Sequence, residues 1–108
     1  MSEHACAVGD LAPGEAMRTE VDGVAVAVVR DEAGGYHAIG DACTHGNVSL
    51  SDGEVEGATI ECWLHGSTFD LRTGRPLSLP ATKPVPVYLV TVEGEDVLVD
   101  ATTVTNDQ

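Results

Sequence analysis

Two short loops in the middle of the 108-residue chain each combine a cysteine with a histidine. They are Cys43–His45 and Cys62–His65, and sixteen residues separate them. Residues two or three apart in a tight loop can point the same way, so loops at the tips of neighbouring hairpins could clamp a metal centre between them. Each loop would supply one thiolate and one imidazole. The candidate metal ligands and cofactor-binding residues are therefore Cys43, His45, Cys62 and His65.

This mixed donor set fits a [2Fe-2S] cluster that has its cysteines on one iron and its histidines on the other. Gly46 and Gly66 follow the two loops, and glycine lets backbone N–H groups approach cluster sulfides. The alternative is a mononuclear zinc site with two cysteines and two histidines. Structural zinc usually uses Cys-x2-4-Cys and His-x3-5-His pairs. The spacing therefore favours the iron–sulfur cluster over zinc.

The rest of the chain shows apolar alternation with a period of two, and valine dominates Val24–Val29. This pattern predicts β-strands, and no segment has the pattern of a long helix. Asp-Gly between two such runs is a strong hairpin signal. We predict three turns, at Asp22-Gly23 between Met17–Val21 and Val24–Arg30, at Ala33–Gly35 before Tyr36–Ile39, and at Gly94-Glu95 between Val87–Val92 and Val97–Asp100.

Residues 41–84 differ, because glycines and prolines interrupt two short predicted strands, Thr59–Cys62 and Ser67–Leu71. We interpret this segment as a loop-rich cluster-binding subdomain on a β scaffold. No repeat or linker divides the chain, and its length is usual for one domain. We therefore expect a single domain over residues 1–108, with a disordered tail at 102–108.

Charge and composition limit the possible partners. Five basic residues stand against eighteen acidic ones, a balance that repels nucleic acid and anionic membranes. The N-terminus lacks a secretory signal pattern, and no apolar stretch approaches the roughly twenty residues that span a bilayer. Three cysteines are too few for a disulfide framework. We expect a cytoplasmic monomer that binds neither nucleic acid nor membrane, with charge that keeps it soluble or steers it onto a basic partner.

The paired Cys-x-His and Cys-x2-His loops, each followed by glycine, resemble the signature of Rieske proteins. Gly66–Gly74 and Leu79–Val85 also look like the stretches after the ligands in ferredoxin components of bacterial aromatic-ring dioxygenases, such as biphenyl dioxygenases. The resemblance covers most of residues 4–100. It implies an all-β Rieske fold, an antiparallel β-sandwich or barrel base with a small loop-rich cluster-binding subdomain, and one [2Fe-2S] cluster per chain.

The resemblance also implies a function. The chain would be a soluble one-electron carrier, not itself an enzyme, between a flavin-dependent reductase and a terminal oxygenase. Two alternatives stay open: an accessory redox protein of iron–sulfur cluster assembly or redox sensing, and the small subunit of a nitrite reductase. No residue of the sequence separates these functions.

The respiratory branch of the family differs at particular positions. Its two cluster loops are joined by a disulfide where this chain has Val48 and Leu64, and its Tyr donor to a ligand sulfur is replaced by Phe69. Ser67 matches the family serine whose hydroxyl can bond a bridging sulfide. The resemblance thus implies a potential toward the low end of the Rieske range, with Ser67 acting in the opposite direction.

Around the two loops, Trp63 and Leu64 are predicted to form an exposed docking rim, and they could also shield the cluster. Carboxylates such as Asp41, Asp52 and Glu54 would surround that rim. Residues 75–80 could form a third loop over the cluster or be a plain connection.

Three further residues receive no ligand role. Cys6 is predicted to be a buried strand thiol, because its neighbours are small and apolar. His4 and His37 have no partner motif and are expected to be exposed or half-buried.

Overall fold

The computed structural model describes residues 3–42, 48–63, 66–78 and 83–105. These residues form strands and two 3₁₀ turns, Val8–Asp10 and Leu50–Asp52. The strands are β1 Glu3–Ala7, β2 Ala16–Val21, β3 Val24–Arg30, β4 Tyr36–Gly40, β5 Glu54–Glu56, β6 Thr59–Glu61, β7 Thr68–Asp70, β8 Val87–Glu93 and β9 Asp96–Val104.

The strands form two antiparallel sheets. The larger sheet has the order β1-β9-β8-β4-β3-β2, and the smaller one has the order β5-β6-β7. At the edges of the larger sheet the Asp22 amide donates to Glu3 Oε2 at 2.8 Å, which joins the β2–β3 turn to β1. The larger sheet is therefore nearly closed into a barrel, and the predicted all-β class is confirmed.

The Asp22-Gly23 turn follows the prediction closely. Val21 pairs with Val24, so only these two residues connect β2 to β3. Both have positive φ angles, 53° and 76°, which is the backbone of a type I′ hairpin turn. Strands β4, β8 and β9 also lie where the sequence places strands.

Strand β3 is buried on both faces. Val26 and Val28 face a core inside the larger sheet. Ala27 and Val29 face a second core, shared with the smaller sheet. This is why the β3 sequence is almost continuously apolar, and it fixes the smaller sheet against one face of the larger one.

Strand β9 is longer than the sequence predicts. Thr102–Val104 belong to this strand, although the sequence favours a disordered tail from residue 102, so that boundary is wrong. The Asp100 carboxylate accepts from the Thr102 amide at 2.9 Å and from Thr103 Oγ1 at 2.9 Å. The Thr105 amide then donates to the Val87 carbonyl at 2.8 Å. These bonds hold the end of the strand, and residues 106–108 lie outside the described residues.

Candidate metal centre

The second Cys/His loop begins where β6 ends. The Cys62 amide donates to the Ser67 carbonyl at 2.6 Å, and the Gly66 amide donates to the Cys62 carbonyl at 2.9 Å. Gly66 has a φ of +75°, a conformation that side chains disfavour. These two bonds close the loop between β6 and β7. Leu64 and His65 lie outside the described residues.

Cys62 is a free thiol at the base of this loop and is only 2% exposed. It belongs to the core shared by the two sheets, together with Leu50, Ile60 and Phe69. A buried cysteine in such a position is held in one place by packing. It can therefore act as a fixed metal ligand from the protein interior.

The ends of the first Cys/His loop are also pinned. Ala42 and Ser49 form an antiparallel bridge, and the Leu50 amide donates to the Asp41 carbonyl at 2.6 Å. Cys43 and His45 lie in residues 43–47, outside the described residues. The structure therefore defines where this loop leaves and rejoins the scaffold.

The bases of the two loops meet on one core. Leu50 and the partly buried Val48, which follow the first loop, pack in the same core as Cys62. A Cβ atom on Gly53 would collide with the carbonyl oxygen of Glu61, the residue before Cys62. The chain that leaves the first loop thus runs directly against the strand that enters the second.

A third segment lies beside the second loop. Pro76 forms a bridge with Phe69, and the Leu77 amide donates to the Thr68 carbonyl at 2.7 Å. The Thr68 amide donates to Ser78 Oγ at 3.0 Å. The described part of the predicted third loop therefore extends the smaller sheet, while residues 79–82 lie outside the described residues.

Exposed apolar side chains occur near these loops. Trp63 is 55% exposed and Leu77 is 56% exposed. The exposure of Trp63 agrees with the predicted docking rim.

A scan of the whole chain against family models matches the Rieske [2Fe-2S] domain over residues 2–89. The chain belongs to the Rieske family. It is 46% identical over 98 residues to the 3-phenylpropionate/cinnamic acid dioxygenase ferredoxin subunit of Shigella boydii. The aligned residues cover 90% of this chain and 91% of that protein.

Two solved Rieske structures extend this comparison. The ferredoxin of carbazole 1,9a-dioxygenase from Nocardioides aromaticivorans has a TM-score of 0.85 and 38% identity, over 91% of this chain and 95% of that one. A chain from a complex of reduced oxygenase and oxidized ferredoxin in carbazole 1,9a-dioxygenase has a TM-score of 0.83 and 39% identity. That match covers 91% of this chain and 100% of the other. This chain is thus a Rieske ferredoxin, an electron carrier with a Rieske-type [2Fe-2S] cluster.

The described residues fit such a cluster. Cys62 is a buried free thiol, and the bases of both Cys/His loops meet at the core that contains it. Among the described residues no group of three or more His, Cys, Asp and Glu side chains could hold a different metal. Ser67 and Phe69, singled out by the family resemblance, are fully buried, and Phe69 packs in the same core as Cys62.

The residues predicted to lie outside the site have other contacts. Cys6 is buried in β1 as predicted, and burial, with a smaller contribution from the charge of Asp10, raises the pKa of its thiol. His4 Nε2 lies 3.1 Å from Asp96 Oδ1. His37 Nε2 lies 2.7 Å from Asp31 Oδ2.

One of the three carboxylates predicted on the docking rim is buried. Asp41 is expected on the docking rim, but it is only 2% exposed, whereas Asp52 and Glu54 are exposed. Its Oδ1 accepts from the Ser51 amide at 3.0 Å, and its Oδ2 lies 3.3 Å from Arg18 Nε. The sequence feature that links Asp41 to the site is its position two residues before Cys43.

No helix in the described ranges is long and apolar enough to cross a membrane.

Proposed function

We propose that Cys43, His45, Cys62 and His65 hold the [2Fe-2S] cluster, the two thiolates on one iron and the two imidazoles on the other. The observation that carries this proposal is the convergence of the two loop bases on the core around Cys62. When bound, the cluster accepts and returns one electron. The chain's own task is to fix the ligands and to keep the thiolate side inside the protein.

The carrier passes electrons from a flavin-dependent reductase to a terminal oxygenase. The names of the relatives support this assignment, because they are ferredoxins of aromatic dioxygenase systems. We place the protein in the cytoplasm as a monomer. Size-exclusion chromatography with light scattering tests the monomer, and a stable dimer at micromolar concentration would contradict it.

Metal analysis and spectroscopy test the ligand set. After anaerobic purification we expect two irons and two sulfides per chain, as a [2Fe-2S] cluster requires, and a rhombic EPR signal with a low average g value on reduction. Cys43→Ala and His65→Ala should each remove that signal. Cys6→Ser is the matched control and should keep it, because Cys6 lies in the other core. A colourless protein with one zinc would overturn the proposal.

Docking is proposed at the exposed rim that includes Trp63. Apolar contact there would hold a short-lived complex, while surface charge steers the encounter. We expect the rate of electron transfer to the oxygenase to fall as salt rises through about 0.15 M, where the screening length is roughly 8 Å.

Two exposed apolar residues give a matched pair of variants for this docking face. Trp63→Ser should slow transfer without changing the optical spectrum. Leu89→Ser, at a 42% exposed position on β8, should leave the rate unchanged. Equal effects of the two substitutions would place the docking face elsewhere.

A further inference from the structure

Asp41 is bonded to both sides of the first Cys/His loop. Its backbone amide donates to the Ala25 carbonyl at 3.2 Å on the side of the larger sheet. On the far side of the loop, its carbonyl accepts from the Leu50 amide at 2.6 Å and its carboxylate accepts from the Ser51 amide at 3.0 Å. One residue thus ties the departing chain to the returning chain.

The Asp41 carboxylate forms an ion pair with Arg18, which lies on another strand. Arg18 lies on β2, opposite Ala27 of β3, and Ala27 lies opposite Ile39 of β4. The arginine side chain must therefore cross β3 to bring its Nε to 3.3 Å from Asp41 Oδ2. The β3 residues that pair with the backbone of Arg18 and of Asp41 are the small Ala27 and Ala25.

The pair is uneven in its exposure. The Arg18 side chain is 54% exposed, whereas that of Asp41 is 3% exposed. A buried carboxylate is costly unless it is paired and hydrogen-bonded. Arg18 therefore compensates a charge that the fold keeps inside, two residues before Cys43.

We propose that the Arg18–Asp41 ion pair is a positioning device for the first cluster loop and contributes to setting the potential of the cluster. This inference rests on the proposed ligand set, because it assigns Cys43 and His45 to the cluster. Asp41 holds the loop ends together and places a negative charge near the ligands. Arg18 holds Asp41 in place and offsets part of that charge.

The ion pair predicts faster iron release in both single variants and shifts of the midpoint potential that differ in sign between them. Arg18→Gln and Asp41→Asn should both release iron to a chelator faster, by about tenfold, because each removes a charge-assisted contact that holds the loop. Their midpoint potentials should move in opposite directions. Asp41→Asn raises the potential because it removes a negative charge that opposes reduction, and Arg18→Gln lowers it.

The double variant separates charge from position. Arg18→Gln combined with Asp41→Asn restores the local charge balance, so its potential should return toward that of the wild type while iron release stays fast. Glu20→Gln, on the exposed face of β2, is the control and should not speed iron release. Amide exchange of Ser51 in Asp41→Ala should become faster, and this readout does not depend on the cluster.

Three results would overturn the inference. They are wild-type iron release in both single variants, shifts of potential with the same sign, and unchanged Ser51 exchange in Asp41→Ala. Failure of the ligand set is distinguishable, because Cys43→Ala would then keep its iron whatever the Arg18 and Asp41 variants do.

Discussion

In the larger sheet β2 and β3 pair over six residues and β3 and β4 over five, whereas each strand of the smaller sheet has three residues. Backbone pairing and two-sided burial stabilise the first region. The second depends on turns, such as Asp70 Oδ1 accepting from the Arg72 amide at 2.8 Å, and on packing against β3 and β4. The proposed metal centre therefore lies in the region with the shorter ladders.

The segment that contains the loops and the rest of the chain also differ in net charge. Residues 41–84 contain six acidic and three basic residues, and the rest of the chain contains twelve acidic and two basic ones. Most of the negative charge is thus carried outside the segment that holds the loops. Because the β2–β3 and β3–β4 pairing lies outside that segment, we infer that the larger sheet can keep its fold when the metal centre is lost.

The largest expected effect is loss of the cluster with retention of the larger sheet. Cys62→Ala should bind no iron, because it removes a proposed ligand, yet it should keep the far-UV dichroism of β-strands and protected β3 amides. Cys6→Ala should keep its iron and lose about 1 kcal/mol of unfolding free energy from apolar burial. Global unfolding of Cys62→Ala would show that the two regions are not separable.

The next largest effect concerns the core that the two regions share. Phe69→Ala should lower the unfolding free energy by about 3 to 5 kcal/mol and speed iron release, because Phe69 packs in the core of Cys62. Val28→Ala, in the core inside the larger sheet, should cost about 2 kcal/mol without changing iron release. Denaturant melts and chelator kinetics measure both quantities, and equal release rates would refute the distinction.

Prediction from sequence also differs between the two regions. The hairpin at Asp22-Gly23 is predictable because the turn chemistry and the apolar alternation agree on it. The end of β9 is not predictable in this way. Asp100 lies opposite Leu89 and Val104 lies opposite Tyr88, so the three residues between Asp100 and Val104 form a bulge beside the Asp100 carboxylate. No alternation in the sequence signals such a bulge.

The sequence predicts the donor atoms of the candidate site, but it does not predict the Arg18–Asp41 contact beside the first loop. The Cys/His spacing and the family resemblance indicate the donor set from sequence alone. The burial of Asp41 is different, because it depends on an arginine on β2, 23 positions earlier in the chain. Such pairing arises only when three strands come together. The four-residue ligand set itself stays a prediction.

A smaller effect is expected on the potential of the cluster. Ser67→Ala should lower the midpoint potential, because it removes a hydroxyl that can donate to a sulfide and stabilise the reduced state. Phe69→Tyr should raise it by adding such a donor. Protein-film voltammetry measures both shifts, and the Leu89→Ser variant serves as the control. If neither potential moves, the two side chains do not act on the cluster.

The smallest expected effect is the acid sensitivity of the larger sheet. Hydrogen bonds from the Thr102 side chain, the Thr102 amide and the Thr103 side chain hold the pKa of Asp100 well below its ordinary value. The hydrogen bond with His37 is the largest of several effects that lower the pKa of Asp31. A carboxyl whose pKa is lower in the folded state stabilises the protein above its unfolded pKa of about 3.9, and this contribution disappears as pH falls through the folded pKa.

Asp100→Asn and Asp31→Asn should therefore melt at a lower temperature than the wild type at pH 7, with a gap that narrows as pH falls below about 4. The gap should be wider for Asp31→Asn, because Asp31 is 8% exposed and buried polar groups lose more when a partner is removed. Leu89→Ser, which removes no ionisable group from an exposed position, is the control and should keep a constant difference from the wild type across this pH range. Thermal melting followed by far-UV circular dichroism from pH 7 to pH 3 tests this prediction. A difference in melting temperature that stays constant with pH would mean that the hydrogen bonds of Asp100 and Asp31 stabilise the β9 bulge and the turn between β3 and β4 without a contribution from carboxylate charge.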